Sequence, residues 1–251
     1  MAEHRFHTPD PLELVIKVPA GDIEVETVDG DETLVTVEGS DRVVAATTVE
    51  LQGRKLVVEY HGRRHGITVS IGDFTIGGNT LRIRVSVPHA SSANLVNAAA
   101  DMDLRGRFAA LDTKTASGDL IVRGDVEGNA DLKTVSGDVH VQNVGGDLDM
   151  KSVSGDLWAA SVGGSVNVKS VSGDVRVESI RAGNVTAQSV SGDIEVGIAA
   201  GTNLDVDAGS VSGNLASEVP LGSDPATGGE GPTVVVRGRT VSGDFKVFRA
   251  A

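Results

Sequence analysis

The chain contains no cysteine, which excludes a disulfide framework, a thiolate metal site and a cysteine nucleophile. Aromatic residues are also rare, with five Phe, one Trp and one Tyr among 251 residues. A hydrophobic core must therefore be built from small and branched side chains, chiefly Val, Leu, Ile and Ala. Hydrophobic residues make up 39% and charged residues 23%, a composition typical of an ordered globular protein.

Positive charge is scarce as well: 22 Lys and Arg stand against 35 Asp and Glu, and the formal net charge is -13. Repulsion from phosphate groups therefore disfavours binding to nucleic acids and anionic lipids. No apolar run approaches the ~18 residues of a transmembrane helix, and the first residues lack the basic start and apolar stretch of a signal peptide. We therefore expect no transmembrane segment, no nucleic-acid partner and a cytoplasmic location.

Glycine, by contrast, is abundant, with 32 residues against an ordinary usage of about 7%. Many of these glycines belong to a Ser-Gly-Asp repeat, whose third residue recurs at intervals of 19, 18, 18, 19, 21 and 30 residues. A second glycine follows each of the first five repeats after eight or nine residues. Such periodicity is the signature of a repeat architecture. The third positions are Asp119, Asp138, Asp156, Asp174, Asp193, Asn214 and Asp244, and the second glycines are Gly128, Gly146, Gly164, Gly183 and Gly201.

Each half of a repeat alternates apolar and polar residues between its glycine turns, which is the pattern of a short strand with one buried face. Such strands can bury that face only if equivalent coils stack about 4.8 Å apart. The sequence therefore predicts an all-β fold, a β-solenoid or β-helix with coils of 18–19 residues. A flattened two-sided and a three-sided cross-section both fit the pattern. The apolar residues that end each half are also expected to face inward: Val144, Val153, Val162, Val171 and Ile180.

The regularity of the repeat divides the chain into four parts. Residues 1–88 form strands of uneven length and are expected to cap the first coil, and residues 89–219 carry the regular solenoid repeats. A Pro/Gly-rich flexible loop at 220–232 accounts for the interval of 30 residues, and 233–251 is expected to be the last coil and C-terminal cap. There the bulky Phe245 and Phe248 would plug the end of the solenoid. The loop His61–Gly66 is the one dense basic segment.

Three elements carry a resemblance to a known family: an early GDIEV strand, an LRIRVSVP strand, and iterated KTVSGDV and KSVSGDL units. In these the chain resembles the bacterial putative-adhesin β-strand-repeat family, a domain of unknown function. The resemblance covers nearly the whole chain and implies a β-solenoid. The chain is also similar to bactofilin-like cytoskeletal β-solenoids, which share short ordered coils but generally lack the Ser-Gly-Asp turn.

The repeated aspartates are weak candidates for a metal site, because stacked carboxylates could hold a hard cation such as Ca²⁺. The alternative, which we favour, is that each carboxylate accepts hydrogen bonds from turn N–H groups. The half-phase turns vary in sequence and Asn214 interrupts the column, unlike the repeats of calcium-binding β-rolls. We therefore expect no metal and no cofactor. The aspartates concerned are Asp119, Asp138, Asp156, Asp174 and Asp193.

Lysine and hydroxyl residues form further columns. A lysine column begins at Lys114 and runs to Lys169, and aspartates two residues earlier are expected to compensate its charge. Thr and Ser residues flank the valine of each Ser-Gly-Asp corner, and their hydroxyls are expected to satisfy the turn backbone. Regular hydroxyl arrays also occur on ice-binding solenoids, but here Ser dominates and charged residues lie nearby.

One outward column differs from the others, because it contains His140, Trp158 and Arg176. Trp158 lies between two inward residues and should therefore be exposed, where Arg176 could make a cation–π contact with it. Exposed Trp beside Arg is typical of interaction hot spots. These three residues are the predicted partner-binding site.

Signals for catalysis are missing: the six histidines show no metal-ligand spacing, and no nucleophile-elbow or phosphate-binding motif is present. We therefore predict a non-enzymatic structural or interaction protein, a rigid scaffold presenting a repetitive surface to a protein or glycan partner. Three alternatives stay open. They are a bactofilin-like protein that self-assembles through its solenoid ends, a glycan-active β-helix enzyme, and an ice-binding protein.

Overall fold

A computed structural model of the chain describes residues 1–62, 81–219 and 232–250. Its main body is a parallel β-solenoid in which each regular coil contributes two strands. Residues in adjacent coils pair at a separation of 18 or 19, as Val139 does with Leu157 and Val175 with Ile194. The predicted all-β solenoid and its coil length are therefore confirmed.

The N-terminal region adds antiparallel strands to this body. The strand β2 belongs to the solenoid, because Glu13–Glu26 pairs in parallel with 92–105 of the following coil. Antiparallel pairs β1–β3, β3–β6 and β4–β5 extend the sheet beyond it. A single turn of helix, which the sequence did not indicate, begins after Ser40, whose hydroxyl accepts the Val43 N–H. The elements are β1 (Ala2–His7), β2 (Glu13–Val28), β3 (Glu32–Glu38), α1 (Asp41–Ala45), β4 (Thr47–Gln52), β5 (Lys55–Tyr60) and β6 (Arg82–Pro88).

The regular coils form two columns of stacked strands. From β8 to β16 the even-numbered strands pair with one another, and the odd-numbered strands from β9 to β15 form the second column. The alternating inward residues, such as Val141, Leu157 and Val168, are buried and line one continuous core. The elements are β7 (Ser91–Lys114), β8 (Leu120–Val126), β9 (Ala130–Lys133), β10 (Val139–Val144), β11 (Leu148–Lys151), β12 (Leu157–Val162), β13 (Val166–Lys169), β14 (Val175–Ile180), β15 (Gly183–Ser191) and β16 (Ile194–Ile198).

At the corner before each Ser-Gly-Asp turn, the residue that faces inward is not the one predicted. Val144, Val162 and Ile180 are buried as expected, but Val153 and Val171 are each 48% exposed. The residue before the valine turns inward instead, since Ser170 is buried and its hydroxyl donates to the Ser172 carbonyl. A small hydroxyl residue that bonds its own turn fits the tight interior of the corner, and the valine is left on the outside.

The last two coils are stacked in the reverse of their order along the chain. The strands are β17 (Asn203–Ser212), β18 (Leu215–Ser217), β19 (Thr233–Ser242) and β20 (Phe245–Arg249). β19 lies between β15 and β17, and β20 lies between β16 and β18. The C-terminal segment is therefore the second coil from the end, and β17 and β18 form the outermost coil. Most of the predicted 220–232 loop and of the basic segment 61–66 lies outside the described residues.

This insertion changes the roles of the two phenylalanines that were expected to plug the end. Phe245 is 2% exposed and fills the core within the inserted coil. The coil makes room for it with Gly238, where an added Cβ would lie 2.0 Å from the Phe245 ring. Phe248 instead lies half-buried on the outer face, paired in register with Gly197. In the described part of the chain, no helix is long and apolar enough to cross a membrane.

Candidate functional site

The column that contains the chain's one tryptophan forms, with two side chains beside it, a cluster that we name the aromatic patch. His140, Trp158 and Arg176 belong to the column, and Glu178 and Phe248 lie next to it on the same outer face. Three parallel strands position its first members, because β12 pairs Trp158 with His140 on one side and Arg176 on the other. Trp158 faces outward as predicted but is half-buried, since neighbouring side chains cover part of its ring. The ring centroids of Trp158 and His140 lie 6.0 Å apart, tilted by 33°.

Glu178 connects Trp158 with Arg176. It accepts a hydrogen bond from the Trp158 indole Nε1 at 3.2 Å and another from Arg176 Nε at 2.7 Å. The bond from Arg176, joined by the bond from Trp158, lowers the pKa of Glu178 below its ordinary value. Glu178 is therefore a stable anion at neutral pH, and it holds both neighbours in place.

Arg176 makes a different cation–π contact from the one predicted. Its guanidinium carbon lies 5.5 Å from the centroid of Phe248. Glu195 of the next coil draws the side chain toward the later coils, and Glu178 on its own strand bonds the same guanidinium. Lys246 approaches the same ring, with its Nζ 5.9 Å from the centroid. The hydrogen bond to Glu178 is the largest effect that raises the pKa of Arg176, so the guanidinium stays charged.

Sequence reasoning missed Glu178 and Phe248. Glu178 lies two residues after Arg176 on the same strand, so it shares an outward face, and the alternation of strand residues was the signal for it. Phe248 could not be found in this way. It joins the patch only because β20 pairs with β16 instead of ending the solenoid.

The carboxylates of the aspartate column accept hydrogen bonds from the backbone of the solenoid. Each carboxylate accepts the backbone N–H of the equivalent residue in the next coil, as Asp138 does from Asp156 at 2.9 Å. The ladder continues through the inserted coil, from Asp193 to Asp244 and then to Asn214, at 2.8 and 2.7 Å. Asn214 is thus the last member in space, although Asp244 comes later in the sequence. The other rungs are Asp101 to Asp119, Asp119 to Asp138, Asp156 to Asp174 and Asp174 to Asp193.

The lysine column is compensated as expected at three of its members, each by the aspartate two residues earlier. The closest of these pairs is Lys133 with Asp131, at 2.8 Å. The corner hydroxyls of Thr115, Ser170, Ser189 and Thr240 donate to the backbone carbonyl two residues later, whereas the buried hydroxyls of Thr134 and Ser152 have no hydrogen-bond partner among the described residues. These columns therefore stabilise the corners of the coils. In the part of the chain that the structure describes, no three His, Asp or Glu side chains are grouped as metal ligands.

Comparison with known families identifies the class of protein. The family model described as Toastrack DUF4097 matches residues 12–248. The chain therefore belongs to the Toastrack DUF4097 family. No curated protein matches the sequence.

Solved structures share the fold at low sequence identity. A structure described as a putative lipid binding protein from Parabacteroides distasonis aligns with a TM-score of 0.60 and 16% identity, over 98% of this chain and 96% of that one. A putative adhesin from the same species aligns at 0.43 and 16%, with the same coverage. A putative adhesin from Bacteroides fragilis aligns at 0.41 and 12%, again over 98% and 96%. The first of these likenesses supports the fold.

Proposed function

We propose that this chain is a non-enzymatic interaction scaffold, which presents the aromatic patch on a rigid solenoid to a protein or glycan partner. The observation that carries the proposal is the placement of Trp158 on the outer face of the regular coils. Its ring contacts His140 and its indole N–H is held by Glu178. Trp and Arg are the residues most enriched where binding energy is concentrated.

The patch is also organised before any partner arrives. Trp158 and Arg176 both bond to Glu178, and Arg176 lies against Phe248. Side chains that are already ordered lose less conformational entropy on binding, so more of the contact energy contributes to affinity. A flat sheet face with a half-exposed indole and flanking charged groups offers apolar area and hydrogen-bonding groups together.

The test compares three immobilised proteins: wild type, Trp158→Ala and the control Gln188→Ala. Gln188 is exposed on β15, which belongs to the second column of strands, and so reports on a change outside the patch. Each protein is exposed to a glycan array and to a phage-displayed peptide library. Binders selected on wild type should bind Trp158→Ala about tenfold more weakly or worse, and Gln188→Ala equally well.

Two results would contradict the proposal. Binders that hold Trp158→Ala as tightly as wild type would remove the patch from the binding site. Release of reducing ends from a polysaccharide panel, abolished by a single carboxylate substitution, would show that the chain is an enzyme. Because Trp158 is the only tryptophan in the chain, its fluorescence provides an independent measure of binding at the patch.

A further inference from the structure

The corner valines form an exposed apolar column that the fold itself does not use, and we name it the valine ridge. Eight large hydrophobic residues are exposed in the described part of the chain, and six of them belong to this column. Their exposure ranges from 48% to 82%. Single exposed apolar residues are ordinary on protein surfaces, whereas a contiguous apolar strip marks an interaction site. In spatial order the ridge consists of Val135, Val153, Val171, Val190, Val241 and Val211.

The ridge is continuous because its members occupy equivalent places in adjacent coils. The Val135 carbonyl accepts the Ser154 N–H and the Val153 carbonyl accepts the Ser172 N–H, so the valine backbones lie in successive layers. With coils about 4.8 Å apart, six valines make a strip about 24 Å long. Backbone hydrogen bonds between coils hold these turns, so the exposed valine side chains are free to contact a partner.

Charge of opposite sign flanks the ridge on its two sides. Two residues before the valine lies the basic column, which includes Lys133, Lys151 and Lys169. The neutral Gln188 interrupts it, and it resumes at Arg239 in the inserted coil. Three residues after the valine lies the exposed aspartate column. The ion pairs within the lysine column are solvent-exposed and weak, so these lysines can still interact with a partner's carboxylates.

This arrangement is self-complementary in one orientation only. A two-fold axis parallel to the solenoid axis places ridge against ridge and sets each basic column opposite the partner's aspartate column. A two-fold axis perpendicular to the solenoid would set the basic columns against each other, and likewise the aspartates. Like charges in contact disfavour an interface by several kcal/mol, so the parallel arrangement is the one that fits.

We propose that the valine ridge is the interface of a side-by-side parallel homodimer, with the occupant a second copy of this chain. The ridge supplies the apolar centre and the charged columns supply the polar rim, which is the usual anatomy of an interface. The contact is isologous, and each valine faces its own counterpart because a two-fold axis parallel to the solenoid keeps every coil at the same height. The pairing through the side of the solenoid differs from end-to-end association, which the sequence left open as an alternative, and it does not depend on the aromatic patch.

Sedimentation velocity over a concentration series tests the association. Wild type should dimerise, and Val153→Lys should raise the dimer dissociation constant at least about tenfold. The matched control Gln142→Lys adds the same charge at an exposed position away from the ridge and should leave the constant unchanged. Circular dichroism should show the same strand content for all three proteins, because both substituted side chains are exposed.

Disulfide trapping tests the orientation, and the absence of native cysteine makes it simple. In the parallel dimer Val135→Cys, Val153→Cys, Val171→Cys and Val190→Cys should each cross-link to itself on oxidation, since a disulfide needs Cα atoms within about 7 Å. Gln142→Cys should cross-link at least about tenfold less at the same concentration. A wild-type monomer at every concentration would overturn the proposal. Cross-linking of Val153→Cys with Val171→Cys but not of Val135→Cys with itself would overturn the parallel arrangement.

Discussion

The regular coils and the N-terminal region of this solenoid arrange their charged residues in opposite ways. In the regular coils identical residues stack on one another, so aspartate lies above aspartate and lysine above lysine. The structure offsets this by giving each aspartate of the ladder a backbone N–H in the next coil, as Asp156 accepts from Asp174. A repeat can therefore tolerate like charges in a column when each carboxylate bonds a backbone N–H and not the neighbouring side chain.

In the N-terminal region the sequence does not repeat, and opposite charges can face each other across strands. Arg84 lies between Glu24 and Glu38 on the two flanking strands and bonds both, at 3.0 and 2.8 Å. Its hydrogen bond to Glu24 is the largest of the effects that raise the pKa of Arg84. The comparison teaches that the stacked aspartates of the repeat are stabilised by backbone N–H groups, whereas the N-terminal region places side chains of opposite charge on facing strands.

The largest expected loss of stability comes from substituting a glycine in the turns of the repeat. Gly155 has φ of 129°, and an added Cβ would lie 2.2 Å from the Gly137 carbonyl oxygen. Gly155→Ala should therefore destabilise the protein by about 3 kcal/mol or more. Gly53 in the β4–β5 turn has φ of 63° with open space around it, so Gly53→Ala should cost only about 1 kcal/mol. Urea unfolding followed by circular dichroism measures both, and equal losses would contradict the comparison.

A smaller effect is expected from one rung of the aspartate ladder. Asp156→Ala removes the acceptor for the Asp174 N–H and should cost about 1 kcal/mol. Asp156→Asn keeps an acceptor oxygen at the same place and should lie within about 0.5 kcal/mol of wild type. The same unfolding assay applies. If Asn were as damaging as Ala, the charge and not the hydrogen bond would stabilise the column.

The smallest expected effect is a pH-dependent change in Tm. It concerns Asp103, where the charges of the N-terminal region meet the solenoid. Burial is the largest single influence on the pKa of Asp103 and raises it, but hydrogen bonds and charges from Arg105 and Arg123 together bring the pKa below its ordinary value. Because the folded-state pKa is depressed, the stabilisation is present above the unfolded value of about 3.9 and is lost as pH falls through the folded value. Wild type should thus have a higher Tm than Asp103→Asn at pH ~6, with the difference shrinking below pH ~4. A difference in Tm that does not vary with pH would contradict this.

Several features could be predicted from the sequence because they depend on local pattern. Alternation placed Val141 and Leu157 inward, and both are buried. The same reasoning placed Val153 inward and was wrong, because it did not consider that Ser152 could take the inner position of the corner. Trp158 was correctly placed on the outer face, whereas its bond to Glu178 depends on side-chain conformations that alternation does not specify.

The sequence by itself determined the strand alternation, the coil length and the two turns of each repeat, since these follow from the period of apolar residues and glycines. Only the tertiary structure decided the order in which the last coils stack. The segments 203–217 and 233–249 both carry strands in the same register, so either could lie next to β16, and chain order does not choose between them. That choice brought Phe248 to Arg176 and placed Asn214 at the end of the ladder. The physical reason is that strand pairing depends on matching registers in space, which the distance along the chain does not restrict.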